Sequence, residues 1–471
     1  THFRPDPPSQ SALAALAATA TAQPVDFRPV VLTGADVPDL IGANVTAPVC
    51  FAFRDGAWQQ CPLQIDEREM LDPASNYPRT VSDAAQLFGG ERQLLYTAPQ
   101  DYPMPGFDPV IRVDSRRGFD ADDELVLMAR FFGDVVNPAA PPFAPATVSE
   151  VLFEGKAVYL FVPTSPLDQS AGIDLVSYTF DLVAGNFPQA YTFEADPTLP
   201  DEWGEGDFLA ANPEQSPAST AYYSTLFEDR WIQRELRLSD GHGGYGPDLL
   251  DRVKYGTRPN TLGNNGVCGR TIWSVSAARG TLGIQKDGPL RALRFAQGYN
   301  SGGLNYVLYQ MYERFVVYRM AHQMHSGPGA SMWFDLAPAA SGMTYTNNLF
   351  PDGVAVDGQP EREPGNVFIE DYLDWDYLVG DQGSMVSTWQ VETNLTDLYP
   401  YSYYEDDTTP ETQQCTGDRT AYASAGNVYI TGTPENGGMP WTDPSNPASY
   451  NSQGKLRFLR LARSSVPEVP N

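Results

Sequence analysis

Positive charge, histidine, cysteine and long apolar runs are all scarce in this chain, and each scarcity removes a class of protein. Only 30 Lys and Arg face 59 Asp and Glu across 471 residues, a formal charge of -29. That field repels nucleic acid and anionic membrane surfaces at long range, so neither is an expected partner. It also opposes a polyanionic substrate unless a local basic cleft or bound cations reverse it, and acidity of this size equally serves solubility. No stretch approaches the roughly 18 consecutive apolar residues of a membrane helix, so no transmembrane segment is expected. Four cysteines in a chain this long rule out a small disulfide-stapled scaffold. Local signatures are missing too: there is no P-loop, no Gly-x-Ser-x-Gly elbow, no haem, flavin or nucleotide motif and no His-Glu-x-x-His zinc site.

What is abundant is turn-forming and core-forming material. With 41 Gly, 41 Pro, 12% aromatic and 42% hydrophobic residues, the chain is punctuated too often for a helical bundle and has ample core for a large domain. The expected class is mainly β: an antiparallel β-sandwich or supersandwich, with a smaller N-terminal β-rich domain and few short helices. Strand composition runs through Val30–Leu32, Ala157–Val162, Val176–Leu182, Arg234–Leu238, Leu290–Phe295, Val307–Met320, Ser384–Val391 and Leu456–Leu461. Glu124–Phe132 is a buried strand or a brief helix, which periodicity does not separate. Val356-Asp-Gly-Gln359 carries a hairpin signal. Residues 1–25 form an extended, Ala-rich arm with too few large apolar residues to bury itself. The Pro-rich stretch 138–145 marks a boundary between an N-terminal domain at 26–140 and a large sandwich domain at 150–471. Starting at Thr1 is simplest to explain by removal of a leader, and hence by export to the periplasm, cell surface or medium.

One cysteine pair is locally specified. Asp55-Gly56 is the preferred sequence of a two-residue hairpin turn, and that register sets Arg54 opposite Ala57, Phe53 opposite Trp58, and Cys50 opposite Cys61. Directly opposed residues lie about 5.5 Å apart, within disulfide reach. A Cys50–Cys61 bond leaves Cys268 and Cys415 to form a long-range staple. Buried free thiols are the alternative if the compartment is reducing.

Several constellations could carry chemistry. Asp120, Asp122, Asp123 and Glu124 cluster before an apolar strand, and hard oxygen ligands on a loop suit calcium, although the spacing is not that of an EF-hand and Asp also caps helices without metal. Cys61-Pro-Leu-Gln-Ile-Asp-Glu-Arg68 followed by Phe119-Asp-Ala-Asp-Asp-Glu-Leu-Val-Leu-Met-Ala129 resembles a motif pair of secreted bacterial β-rich proteins of unassigned function. Gly288-Pro-Leu-Arg-Ala-Leu-Arg294 is similar to a strand of galactose-mutarotase-like supersandwich domains found in carbohydrate-active proteins. These resemblances cover about a tenth of the chain; they imply a carbohydrate link and transfer no catalytic residue.

His322 and His325 lie among three methionines in a copper-like donor composition, but on a strand they would face opposite sides. The loop Asp240–Gly246 holds His242 and Tyr245, which with Arg234 and Asn300 include the base and the neutralising groups a sugar lyase needs. Acidic residues are too numerous to select a hydrolase pair. Trp375, Tyr377, Tyr401 and Tyr403 offer rigid aromatic platforms for sugars or protein partners, or a buried aromatic core. Together these features favour an exported, non-catalytic protein that binds carbohydrate or assembles with protein partners, including copies of itself through residues 1–25. The alternative is a carbohydrate-active enzyme, a polysaccharide lyase or glycoside hydrolase.

Overall fold

The computed structural model describes residues 26–71, 93–98, 114–136, 148–181, 193–195, 208–210, 215–228, 232–257, 271–272, 281–300, 303–324, 329–347, 351–359, 367–369, 375–393, 398–407, 421–431 and 454–465. The arm 1–25 and both Cys268 and Cys415 lie outside them. The protein is mainly β, with antiparallel sheets and, among the described residues, only single-turn helices such as Gly34–Asp36 and Ala129–Phe131.

The N-terminal part is built around the hairpin Val49–Arg54 and Ala57–Cys61, whose register is the one its turn residues demand. Asp55 and Gly56 both adopt positive φ, the conformation a type I′ turn requires. Cys50 and Cys61 are bonded and fully buried in the local core with Leu63, Leu125, Val158 and Leu160. A second hairpin of the same kind, turning at Glu154 and Gly155, joins Val148–Phe153 to Lys156–Phe161. Lys156–Phe161 pairs with Val49–Arg54, so this sheet recruits strands from beyond the Pro-rich stretch at which the sequence places a boundary. Proline punctuates the chain there, and strands from both of its flanks pair in this sheet. Pro29–Thr33 and Gln64–Asp66 flank the central strand Glu124–Met128 in a neighbouring three-stranded sheet.

The larger part packs a nine-stranded sheet against a six-stranded one and a five-stranded one. Its core joins Val307, Tyr309, Met311 and Tyr318 from the first to Phe334, Leu336 and Tyr404 from the second and Phe227, Leu236 and Leu238 from the third. The run Val307–Met320 is not one strand: Gly303–Tyr312 turns at Glu313-Arg314 into Phe315–Met324. Val356–Gln359 is a bend rather than a hairpin, because the amides of Asp357 and Gly358 donate to the Asp406 carboxylate instead of to a strand partner. The two parts meet where Val126 and Met128 pack on Leu290, Tyr312 and Phe315.

Candidate functional site

Asp66 lies directly opposite Glu124 across an antiparallel pair, which puts both side chains on one face. That face meets the strand Arg291–Asn300 of the larger part, and Arg291, 1% exposed, enters between the two carboxylates. Its Nε donates to Asp66 (2.8 Å), and its two terminal nitrogens reach Glu124 (2.5 Å) and the Tyr312 hydroxyl (2.9 Å). Lys286 donates to the other Asp66 oxygen (2.6 Å), Arg68 to the other Glu124 oxygen (2.7 Å), and Tyr96 adds its hydroxyl to Glu124 (2.7 Å). Gln64 completes the joint: its carbonyl oxygen accepts the amides of Leu290 and Arg291, and its nitrogen donates to Asp66 and to the Arg291 carbonyl. Gly288 is required beside it, since a Cβ there would stand 2.5 Å from Gln64 Oε1. Burial raises the Asp66 carboxyl, but Lys286 and Arg291 outweigh it and hold the group down at about 2. Here three cations answer two carboxylates, and almost every lone pair is used.

The residues next in sequence face the other way. Glu67 follows Asp66 and Asp123 precedes Glu124; Asp123 clusters with Asp114 and Asp120, and the charges of all three act on the buried Glu67. Ligand oxygens of Asp114, Asp120 and Asp123 lie within 4.8 Å of one another. The cluster is buried and preformed: Asp123 is 0% exposed, Asp114 2% and Glu67 4%. Asp123 accepts the amides of Arg68 and Asp120 (both 2.8 Å), and Asp114 accepts that of Arg116 (2.7 Å). The loop is clamped through its backbone by Gly34, Ala35 and Gly42, which donate to the carbonyls of Asp123, Ala121 and Phe119. Gly34 must lack a side chain, because a Cβ would meet the Asp120 carbonyl oxygen at 1.8 Å. Burial and the charges of Asp123 and Asp114 push Glu67 up to about 7, against a weaker pull from Lys286. Burial likewise raises Asp123 to about 6, opposed by its two amide donors.

The structure therefore divides the predicted calcium set. Asp120 and Asp123 stay together, Asp122 turns to the exposed Arg116 (3.1 Å), and Glu124 belongs to the ion-pair network on the opposite side. Glu67, Asp114, Asp66 and Arg291 went unselected in the sequence. The three segments that carried the resemblances, 61–68, 119–129 and 288–294, are nevertheless the ones that converge here.

The other candidates are scattered. Tyr245 donates its hydroxyl to the Thr220 carbonyl (2.5 Å), His242 sits on an exposed turn, and Arg234 is exposed on the strand Ile232–Ser239. Tyr245 pairs with Ser239, five residues along that strand from Arg234 and hence roughly 17 Å away, and Asn300 ends a strand of the nine-stranded sheet. Arg234 and Tyr245 are therefore set apart along the strand. His322 pairs with Asn305 and Leu456 in the backbone, its side chain and all of His325 lying outside the described residues. Tyr401 and Tyr403 lie on Leu398–Asp407 of the six-stranded sheet, whereas Trp375 and Tyr377 lie on Trp375–Gly380 of the nine-stranded sheet.

Trp375 and Tyr377 share one face of their strand, half-buried, while Asp376 and Leu378 between and after them turn into the protein. Tyr377 lies between Thr346 and Val386 on the flanking strands, and Trp375 lies opposite Thr388. Thr388 and Val386 are exposed. This is an outward patch of two aromatic rings edged by hydroxyls, roughly 10 Å by 7 Å from strand spacings.

No family model matches this sequence, and no curated protein matches it. Among solved structures, an Escherichia coli K12 protein assigned provisionally as an aldose 1-epimerase is similar over 51% of this chain and 96% of its own, at 10% identity and a TM-score of 0.30. A heparan sulfate lyase mutant from Pedobacter heparinus is similar over 59% of this chain and 37% of its own, at 6% identity and a TM-score of 0.25. Likenesses this distant carry no argument about the chemistry of this chain.

Proposed function

We propose that this is an exported, non-catalytic protein that binds a neutral carbohydrate on the outer face of its nine-stranded sheet. The observation that carries the reading is the Trp375–Tyr377 pair, set side by side on a rigid strand and edged by Thr346 and Thr388. A sugar ring presents an apolar C–H face and a rim of hydroxyls, which flat aromatic rings and adjacent threonines complement. The charge of -29 favours an uncharged glycan over a uronate or sulfate polymer. The buried Cys50–Cys61 bond supports an oxidising compartment.

The test is retention of the full chain on a panel of immobilised polysaccharides, with the length of each soluble glycan followed in parallel. The reading expects retention on at least one neutral polymer, loss of retention in Trp375→Ala and Tyr377→Ala, and glycans of unchanged length. Retention that survives both substitutions would move the site elsewhere. Shortening of a glycan by the wild-type protein would replace a binding protein with an enzyme.

A further inference from the structure

We propose that Asp114, Asp120, Asp123 and Glu67 form a binding site for one calcium ion. Their carboxylates supply only hard oxygen donors, and the tight grouping of the three aspartates is of the size that a single cation spans. Neither His nor Cys takes part, so softer transition metals have no preferred ligand here.

Glu67 gives the independent observation. It is 4% exposed, its Oε2 has no hydrogen-bond partner among the described residues, and the charges acting on it include all three aspartates. An ionised oxygen buried without a donor is strongly disfavoured, so a carboxyl in this position takes up a proton, pairs with a cation or coordinates a metal. The cations close by along the chain are committed elsewhere: Arg68 to Glu124 and Lys286 to Asp66. The exposed Arg116 side chain pairs with Asp120 (3.0 Å) and Asp122 (3.1 Å), not with Glu67, Asp114 or Asp123. A divalent ion supplies the missing positive charge. The loop that carries the aspartates is held in place by backbone bonds from Gly34, Ala35 and Gly42 and by the amides that Asp114 and Asp123 accept. The site is distinct from the aromatic patch and does not depend on the carbohydrate reading.

The experiment is calorimetric titration of calcium chloride into the full chain after chelator treatment, paired with thermal unfolding in chelator and in calcium. Wild type, Glu67→Gln, Asp114→Asn and the exposed-turn control Asp381→Asn are compared. The proposal expects one calcium per wild-type chain and a melting temperature that rises with calcium. Glu67→Gln and Asp114→Asn should bind at least about tenfold more weakly, and Asp381→Asn as wild type does. Glu67→Gln removes no hydrogen bond at Oε2, so it remains informative if Asp114→Asn fails to fold. Absence of both saturable heat and a melting shift in the wild type would overturn the proposal. So would a Glu67→Gln protein that titrates like the wild type.

Discussion

Asp66 and Glu67 are neighbours in the chain, as are Asp123 and Glu124, yet each pair is split between two environments. Asp66 and Glu124 point at Arg291, Lys286 and Arg68 and are held below the usual carboxylate range. Glu67 and Asp123 point into a group of acids and are pushed well above it. All four are buried. Burial alone therefore does not decide the state of a carboxylate; the sign of what it is buried against does. The antiparallel pair between Gln64–Asp66 and Glu124–Met128 makes the separation possible, because cross-strand partners share a face and the next residues along take the other.

The largest effect that could break this contrast comes from Arg291. Replacing it with Met leaves Asp66 and Glu124 facing each other with one cation fewer, and stability should fall by about 3–5 kcal/mol in urea unfolding. A fall below about 1 kcal/mol would mean that the network is dispensable.

The pH dependence sharpens the same contrast. The folded value of Asp66, about 2, lies below the unfolded value of roughly 3.9, so its stabilisation is complete above about pH 4 and is lost as the pH falls through about 2. The loss should be about 2–3 kcal/mol, and Asp66→Asn, measured by unfolding midpoint from pH 5 to 2, should flatten it.

On the other face the sign reverses. In chelator at pH 8, Glu67→Gln removes one of several like charges without removing a hydrogen bond at Oε2 and should stabilise the protein by about 1 kcal/mol. The smallest stability effect belongs to the outer sheet face, where Trp375→Ala should cost less than Arg291→Met or Asp66→Asn because its ring is only half-buried. Its consequence should appear in glycan retention instead.

How much of this was legible in the sequence depended on distance along the chain. The Cys50–Cys61 hairpin was readable because Asp55-Gly56 sets turn, register and disulfide within twelve residues. Val307–Met320 was misread as one strand because Glu313-Arg314 carries no Gly, Pro or Asn to announce the turn. The ion-pair network was invisible as such, since its partners stand up to 227 residues apart and nothing local distinguishes Arg291 from any other strand arginine. Its pieces showed only as motifs of resemblance. Glu67 and Asp114 look like ordinary surface acids until the fold buries them, and Glu124 joins the calcium candidates until its strand position turns it to Arg291. The aromatic set mixes two sheets, a separation that requires topology rather than composition.

The most direct test of the contrast is a paired measurement of unfolding midpoints for Arg291→Met and Glu67→Gln, in chelator at pH 8, against the wild type. The account predicts opposite shifts: a large fall for Arg291→Met and a rise for Glu67→Gln. Two shifts in the same direction would contradict it, because the two faces would then not differ in how their buried charge is compensated.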